Sequence, residues 1–122
     1  MAKRILLIDD DQFIRELYED IFKEAGYEVQ AAPGGEEGLV KAREGGHDLI
    51  LLDVMMPKLD GLGVLKGLKD NPPRQKNGVI LLLTNLAHDP VVKEALTMGA
   101  KEVLVKADYN PDQLLEKVKN YL

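Results

Sequence analysis

Leu49-Ile50-Leu51-Leu52-Asp53 is the stretch that decides the fold. A strand with one wet face alternates apolar and polar residues. Four consecutive large aliphatics leave no face for water, so this run reads as a strand buried on both sides. Asp48 opens it and Asp53 closes it, which makes it a short buried segment emptying into a polar loop. The same form recurs along the chain. Ile5-Leu6-Leu7-Ile8 empties into Asp9-Asp10-Asp11, the run 79–83 ends at Thr84, and Val103-Leu104-Val105 ends at Lys106. Residues 27–31 supply one more strand.

Between these runs the apolar period changes from continuous to helical. Over 12–25, Phe13, Ile14, Leu17, Ile21 and Phe22 recur at helix spacing, and Gly26 stops the segment. Residues 34–44 read as a helix with Leu39, Val40 and Ala42 on its inner side, ended by Gly45-Gly46. A turn over 57–61 leads into a short helix, 62–68. The stretch 70–78 is a loop broken by Pro72 and Pro73. A helix over 90–98 stops at Gly99. Asn110-Pro111 then opens a last helix with Leu114, Leu115, Val118 and Leu122 on its inner stripe. Five β/α units with doubly buried strands predict an α/β fold, an open doubly wound parallel sheet with helices on both faces. A closed eight-unit barrel would need about twice the length.

The 122 residues suit one domain, 1–122. A net charge of -5 with scattered Lys and Arg argues against direct nucleic-acid binding, which uses a basic stripe. With no Cys, disulfides and thiolate metal sites are excluded. His47 and His88 lie far apart and read as surface loop residues. No run approaches membrane-spanning length and the N-terminus is too short for a signal peptide, so a cytoplasmic protein is expected.

Four strands end in residues with chemical potential: Asp9-Asp10-Asp11, Asp53, Thr84 and Lys106. Ligands of open α/β sheets bind outside the carboxyl ends of the strands, so these residues should meet at one edge. Clustered carboxylates repel one another, and a hard cation such as Mg2+ relieves the repulsion. A carboxylate can attack phosphorus to give an aspartyl phosphate. Lys would screen the incoming charge, and a Thr hydroxyl could donate to a phosphoryl oxygen. No His or Glu stands at a strand end as a general base, so the set suits phosphoryl acceptance better than hydrolysis.

These motifs resemble the receiver domain of two-component response regulators over essentially the whole chain. They are Ile8-Asp9-Asp10-Asp11, the segment from Leu49 through Asp53 to Pro57 with Asp60-Gly61, Leu83-Thr84, and Val105-Lys106. The resemblance implies a flavodoxin-like, five-stranded sheet in the order 2-1-3-4-5. It implies that Asp9 and Asp10 hold Mg2+ with Asp53 and the backbone carbonyl of Met55. Asp53 would be the phosphoacceptor, Thr84 the switch hydroxyl and Lys106 its cationic partner. It implies a histidine kinase or phosphotransfer protein as donor and an unknown downstream protein as target. Phosphorylation would switch the face of the fourth helix, fifth strand and fifth helix. That face is also a candidate homodimer surface, to which Leu86, Val91 and Val92 could contribute. The protein would then be a signalling module rather than an enzyme, with only self-catalysed uptake and slow loss of phosphate.

Plainer roles exist for single residues. Asp11 reads as an N-cap for the helix after it, and Met55 and Met56 as packing residues. Two readings rival the receiver: a pseudo-receiver that keeps the fold without using phosphate, and a haloacid-dehalogenase-like phosphatase acting through Asp9 and Asp11. The second leaves Asp53 without a purpose. The chain departs from the common receiver pattern in four respects, the last of which involves two residues. Ala107 replaces a Pro usually joined to the lysine by a cis bond, so a trans bond and an altered loop over 106–110 are expected. Asn85 replaces a small residue and could touch the phosphoryl group or narrow the entrance. Val103 replaces an aromatic, which would leave switching to Thr84 and to loop shifts; Tyr109 is the nearest alternative ring. Met55 and Leu86, apolar where water would be aligned, predict a long-lived phosphoryl group.

Overall fold

The computed structural model describes residues 2–122. Strands and helices alternate: β1 (Arg4–Ile8), α1 (Gln12–Glu24), β2 (Glu28–Ala32), α2 (Gly35–Glu44), β3 (Leu49–Asp53), α3 (Gly61–Asp70), β4 (Val79–Thr84), α4 (Pro90–Thr97), β5 (Glu102–Val105) and α5 (Pro111–Lys119). One 3-10 turn, Lys106–Asp108, lies between β5 and α5. The strands are all parallel, in the order β2-β1-β3-β4-β5. Every residue of β3 is buried, as its unbroken apolar run requires.

Side-chain parity divides the core in two. Ile5, Leu7, Leu49, Leu51, Leu81 and Leu83 pack with Tyr18 and Phe22 of α1 and with Leu114 and Val118 of α5. Leu6, Ile8, Ile50, Leu52 and Leu82 pack on the other side with Ala42 of α2, Val64 and Leu65 of α3, and Val92 and Ala95 of α4. Burying each such aliphatic is worth about 1.5–3 kcal/mol, so β1, β3 and β4 are the main source of stability. Four of the five α-helices, α2 being the exception, start where short polar side chains take up unpaired amides. Asp11 accepts from Ile14 N at 3.1 Å, Asp60 from Gly63 N at 2.8 Å and Asp89 from Val91 N at 2.9 Å. Asn110 and Gln113 cap α5 reciprocally.

Several expectations need correction. The third helix runs Gly61–Asp70, longer than 62–68, because the Asp60 cap starts it at Gly61. Val40 is 61% exposed, since it sits two residues from both Gly38 and Ala42 and faces away from the sheet they cover. Phe13 is 73% exposed: lying five residues before Tyr18 and nine before Phe22, it falls on the opposite face of α1. Of the three residues assigned to a candidate dimer face, Val92 is core, Val91 is half-buried and only Leu86 is well exposed.

His47 is not a surface residue: it is 1% exposed. Its N–H donates to Asn77 Oδ1 at 3.0 Å, and its Nε2 lies 3.0 Å from the Lys41 carbonyl. Asn77 Nδ2 donates to the Ala42 carbonyl at 2.9 Å and closes the corner over the start of β3.

Candidate functional site

Strand register brings the polar ends together. Ile8 pairs with Leu52, so Asp9 follows level with Asp53. Asp53 pairs with Leu83, and Thr84 pairs with Val105, which Lys106 follows. Four segments spread over a hundred residues therefore finish in one row at the carboxyl edge.

The side chains close the row. Lys106 Nζ lies 2.9 Å from Asp9 Oδ2 and 3.3 Å from Asp53 Oδ2. Asp9 and Asp53 are buried, whereas Asp10 is exposed at the mouth. One carboxylate oxygen from each of Asp9, Asp10 and Asp53 falls within 4.8 Å of the others. Met55, Thr84, Asn85 and Leu86 line the same open cleft of about 290 Å³. Backbone donors fix the groups. Asp9 Oδ1 accepts from Asp11 N at 2.9 Å, Asp53 Oδ1 from Met55 N at 3.3 Å, and Thr84 Oγ1 from Leu86 N at 3.0 Å. The Thr84 hydroxyl proton is left to donate elsewhere. Arg15 Nη1 reaches the Asp9 carbonyl at 2.9 Å and braces the end of β1, a role no sequence motif marks.

The loop after β3 is tightly drawn. Lys58 takes a left-handed backbone with φ 68, uncommon for a residue with a side chain and characteristic of constrained loops beside functional sites. Gly61 returns its N–H to the Val54 carbonyl at 2.9 Å, and a Cβ there would meet the Asp53 carbonyl at 2.8 Å. Only glycine lets the start of α3 approach the end of β3 so closely.

The electrostatics are strained in a definite sense. Burial, then the Asp9 carboxylate, raises the Asp53 pKa to about 7, with Lys106 opposing the shift. Burial alone would lower Lys106, but pairing with Asp9 and the charge of Asp53 outweigh it and its pKa is raised. The ammonium stays charged, and one cation is shared between two buried acids. Asp9 Oδ2 is buried and its one partner is the Lys106 ammonium at 2.9 Å. A buried, under-satisfied carboxylate oxygen in an all-oxygen set open to water fits a hard divalent cation that keeps several waters.

Two of the departures from the receiver pattern meet physically. The Lys106–Ala107 bond is trans, and Lys106–Asp108 forms the 3-10 turn. Ala107 N–H donates to Asn85 Oδ1 at 2.8 Å, so Asn85 engages the next loop instead of lying free over the cleft. Val103 is half-buried against the core, as is Tyr109 on the opposite side of the sheet. Asp11 caps α1, as its sequence position suggested.

Residues 5–119 match the family model of the response regulator receiver domain. The chain belongs to this family. As a receiver it is similar to the chemotaxis protein CheY of Bacillus subtilis, 33% identical over 123 residues that span 100% of this chain and 99% of that one. It superposes on CheY4 of Vibrio cholerae with a TM-score of 0.84 at 32% identity, covering 100% of both chains. It also resembles response regulator protein TrrA of Thermotoga maritima, solved in complex with Mg2+-BeF. That likeness has 39% identity and a TM-score of 0.80, and covers 99% of this receiver and 100% of that chain. The five-stranded sheet in the order 2-1-3-4-5 is the receiver fold. The protein is thus a signalling module of two-component systems, and its Asp cluster suits a phosphoacceptor site. Among the described residues no helix is long and apolar enough to cross a membrane.

Proposed function

We propose that this receiver accepts a phosphoryl group on Asp53 and that Asp9, Asp10, Asp53 and the Met55 carbonyl hold the Mg2+ that permits it. The observation that carries the reading is the convergence of three carboxylates within 4.8 Å, with Lys106 Nζ against two of them. Mg2+ bound there supplies the charge that lets the carboxylates ionise together and draws in phosphoryl oxygens. An Asp53 oxygen attacks phosphorus and forms the new O–P bond. The bond to the donor breaks, P–N for a phosphohistidine or P–O for acetyl phosphate, and its electron pair leaves with imidazole or acetate. Lys106 moves from pairing with the carboxylates to pairing with the phosphoryl group. Thr84, whose hydroxyl proton is uncommitted, donates to a phosphoryl oxygen.

A histidine kinase or phosphotransfer protein in the cytoplasm is the donor, and residues 1–122 act as one unit. The output surface is built from α4, β5 and α5; pairing of two copies there now has Leu86 and half-buried Val91 as its apolar contribution. Met55 and Leu86 are 41% and 52% exposed at the cleft, and neither side chain can orient water. The phosphoryl group is therefore retained for minutes or longer.

Incubation with Mg2+ and acetyl phosphate, followed by intact-mass measurement, tests the reading. Wild type should gain one phosphate and Asp53→Asn none. No gain in wild type would favour a phosphate-independent interaction module. Turnover that survives Asp53→Asn and requires Asp9 would favour a phosphatase. Loss of the phosphate within seconds would refute the predicted lifetime.

A further inference from the structure

We infer that Asn85 is a positioning residue for Lys106, acting through the Ala107 amide; the inference rests on the reading of Asp53 as acceptor. A 3-10 turn leaves its first amides without partners inside the turn, and a side chain at the preceding residue usually takes them up. Here the preceding residue is Val105, which has no side-chain acceptor and makes no capping bond. Asn85 supplies the missing cap from the neighbouring strand. Thr84 and Val105 are register partners, so Asn85 and Lys106 leave β4 and β5 side by side, and Asn85 Oδ1 meets Ala107 N at 2.8 Å.

The chemistry fixes which branch of the amide does this. Ala107 N–H can only donate, so the atom facing it must be the carbonyl oxygen of the Asn85 carboxamide. A proline at 107 would have no N–H to offer, and an alanine at 85 would have no oxygen to receive it. The two departures are therefore one device, and each is idle without the other.

Its effect falls on Lys106. That residue opens the turn, and its four-carbon stem must bring Nζ to 2.9 Å from Asp9 and 3.3 Å from Asp53. A lysine stem is flexible, so the placement of the ammonium depends on a fixed backbone origin. The tie also joins the residue after Thr84 to the residue after Lys106. The two groups that would contact the phosphoryl oxygens thus have backbones held to each other directly, outside the sheet ladder.

Two measurements on the full chain test this. The first is hydrogen exchange of the Ala107 amide in unphosphorylated protein. Asn85→Ala should abolish its protection, and Asn85→Asp, which keeps an acceptor oxygen, should restore it. The second is the rate of phosphate uptake from acetyl phosphate with Mg2+ in wild type, Asn85→Ala, Ala107→Pro and the double variant. One hydrogen bond's worth of positioning predicts a rate roughly threefold to tenfold lower in Asn85→Ala. That loss should vanish when proline already occupies position 107, the non-additivity expected of a single contact. A wild-type rate in Asn85→Ala, or an undiminished loss in the Ala107→Pro background, overturns the inference. If Ala107→Pro does not fold, the Asn85→Ala rate and the rescue of amide protection by Asp decide it. A wild type that takes up no phosphate overturns the acceptor reading and this role together. Normal uptake that is insensitive to Asn85 overturns this role alone.

Discussion

The two ends of β3 bury polar groups in opposite ways. At its amino end, His47, Asp48 and Asn77 serve the backbone. Asp48 Oδ2 accepts from Arg4 N at 2.8 Å, Asn77 bonds both His47 N and the Ala42 carbonyl, and Gly78 N reaches the His47 carbonyl at 2.7 Å. At its carboxyl end, Asp9 and Asp53 face each other across one ammonium, which is the one partner of a buried Asp9 oxygen. The first end contributes stability by satisfying buried groups. The second leaves two acids sharing one cation, which on the proposed reading a metal ion and a phosphoryl group complete. Burial of polar residues therefore does not distinguish scaffold from site in this molecule. Charge does: the amino end leaves unpartnered a ring nitrogen of His47, whose pKa burial lowers, whereas the carboxyl end sets two buried acids against one ammonium.

Exchanging the acids should give the largest effect and break the comparison most directly. Asp53→Asn is expected to lose phosphate uptake completely. It should also leave the Mg2+-free protein at least as stable as wild type near neutral pH, because a buried charge repelled by Asp9 is gone. Intact mass and urea unfolding in EDTA read the two halves. A variant destabilised by several kcal/mol would mean that the carboxyl end is scaffold after all. Asn77→Ala should behave in the reverse manner. Two buried partners, His47 N and the Ala42 carbonyl, lose their bonds, which costs about 1–3 kcal/mol. Phosphate uptake by the remaining folded protein should match wild type, and a reduced rate there would show that the two ends are coupled.

The carboxyl end was readable from sequence because each of its residues terminates an apolar run, and strand ends of a parallel sheet must align. The amino end was not. His47 follows two glycines and looks like loop, and its burial depends on Asn77, 30 positions later in a segment broken by prolines. The helix faces failed where a single residue had to be oriented, as with Val40, because several apolar neighbours fit more than one stripe. Asn85 and Ala107 were each visible as oddities, but their pairing depends on β4 and β5 being neighbours. The available signal was chemical: one position had gained an acceptor and the other a donor.

The smallest effect is the subtlest test of the contrast, because the two ends should titrate in opposite senses. Burial lowers the His47 pKa below its ordinary 6.5. Its Nε2 faces the Lys41 carbonyl, and its Nδ1 has no partner, so protonation would bury an unpaired N–H. The folded state then binds fewer protons than the unfolded one. The contribution of neutral His47 is complete above pH 6.5 and is lost as pH falls toward the lowered value. For Asp53 the sign reverses. Its folded pKa, about 7, lies above the ordinary 3.8, so its contribution in the Mg2+-free protein is complete below 3.8 and is lost as pH rises through 7. Each group can change the slope of stability against pH by at most about 1.4 kcal/mol per pH unit. Over pH 5.5–7.5 the two slopes oppose each other, and wild type should show a shallow dependence. Asp53→Asn should leave a protein that gains stability as pH rises through this window. His47→Gln, which keeps a donor for the Lys41 carbonyl, should leave one that loses it. Unfolding midpoints of the three proteins in EDTA, measured at half-unit intervals, would separate the slopes. If both variants change slope in the same direction, the two ends do not differ in the way their hydrogen bonding indicates.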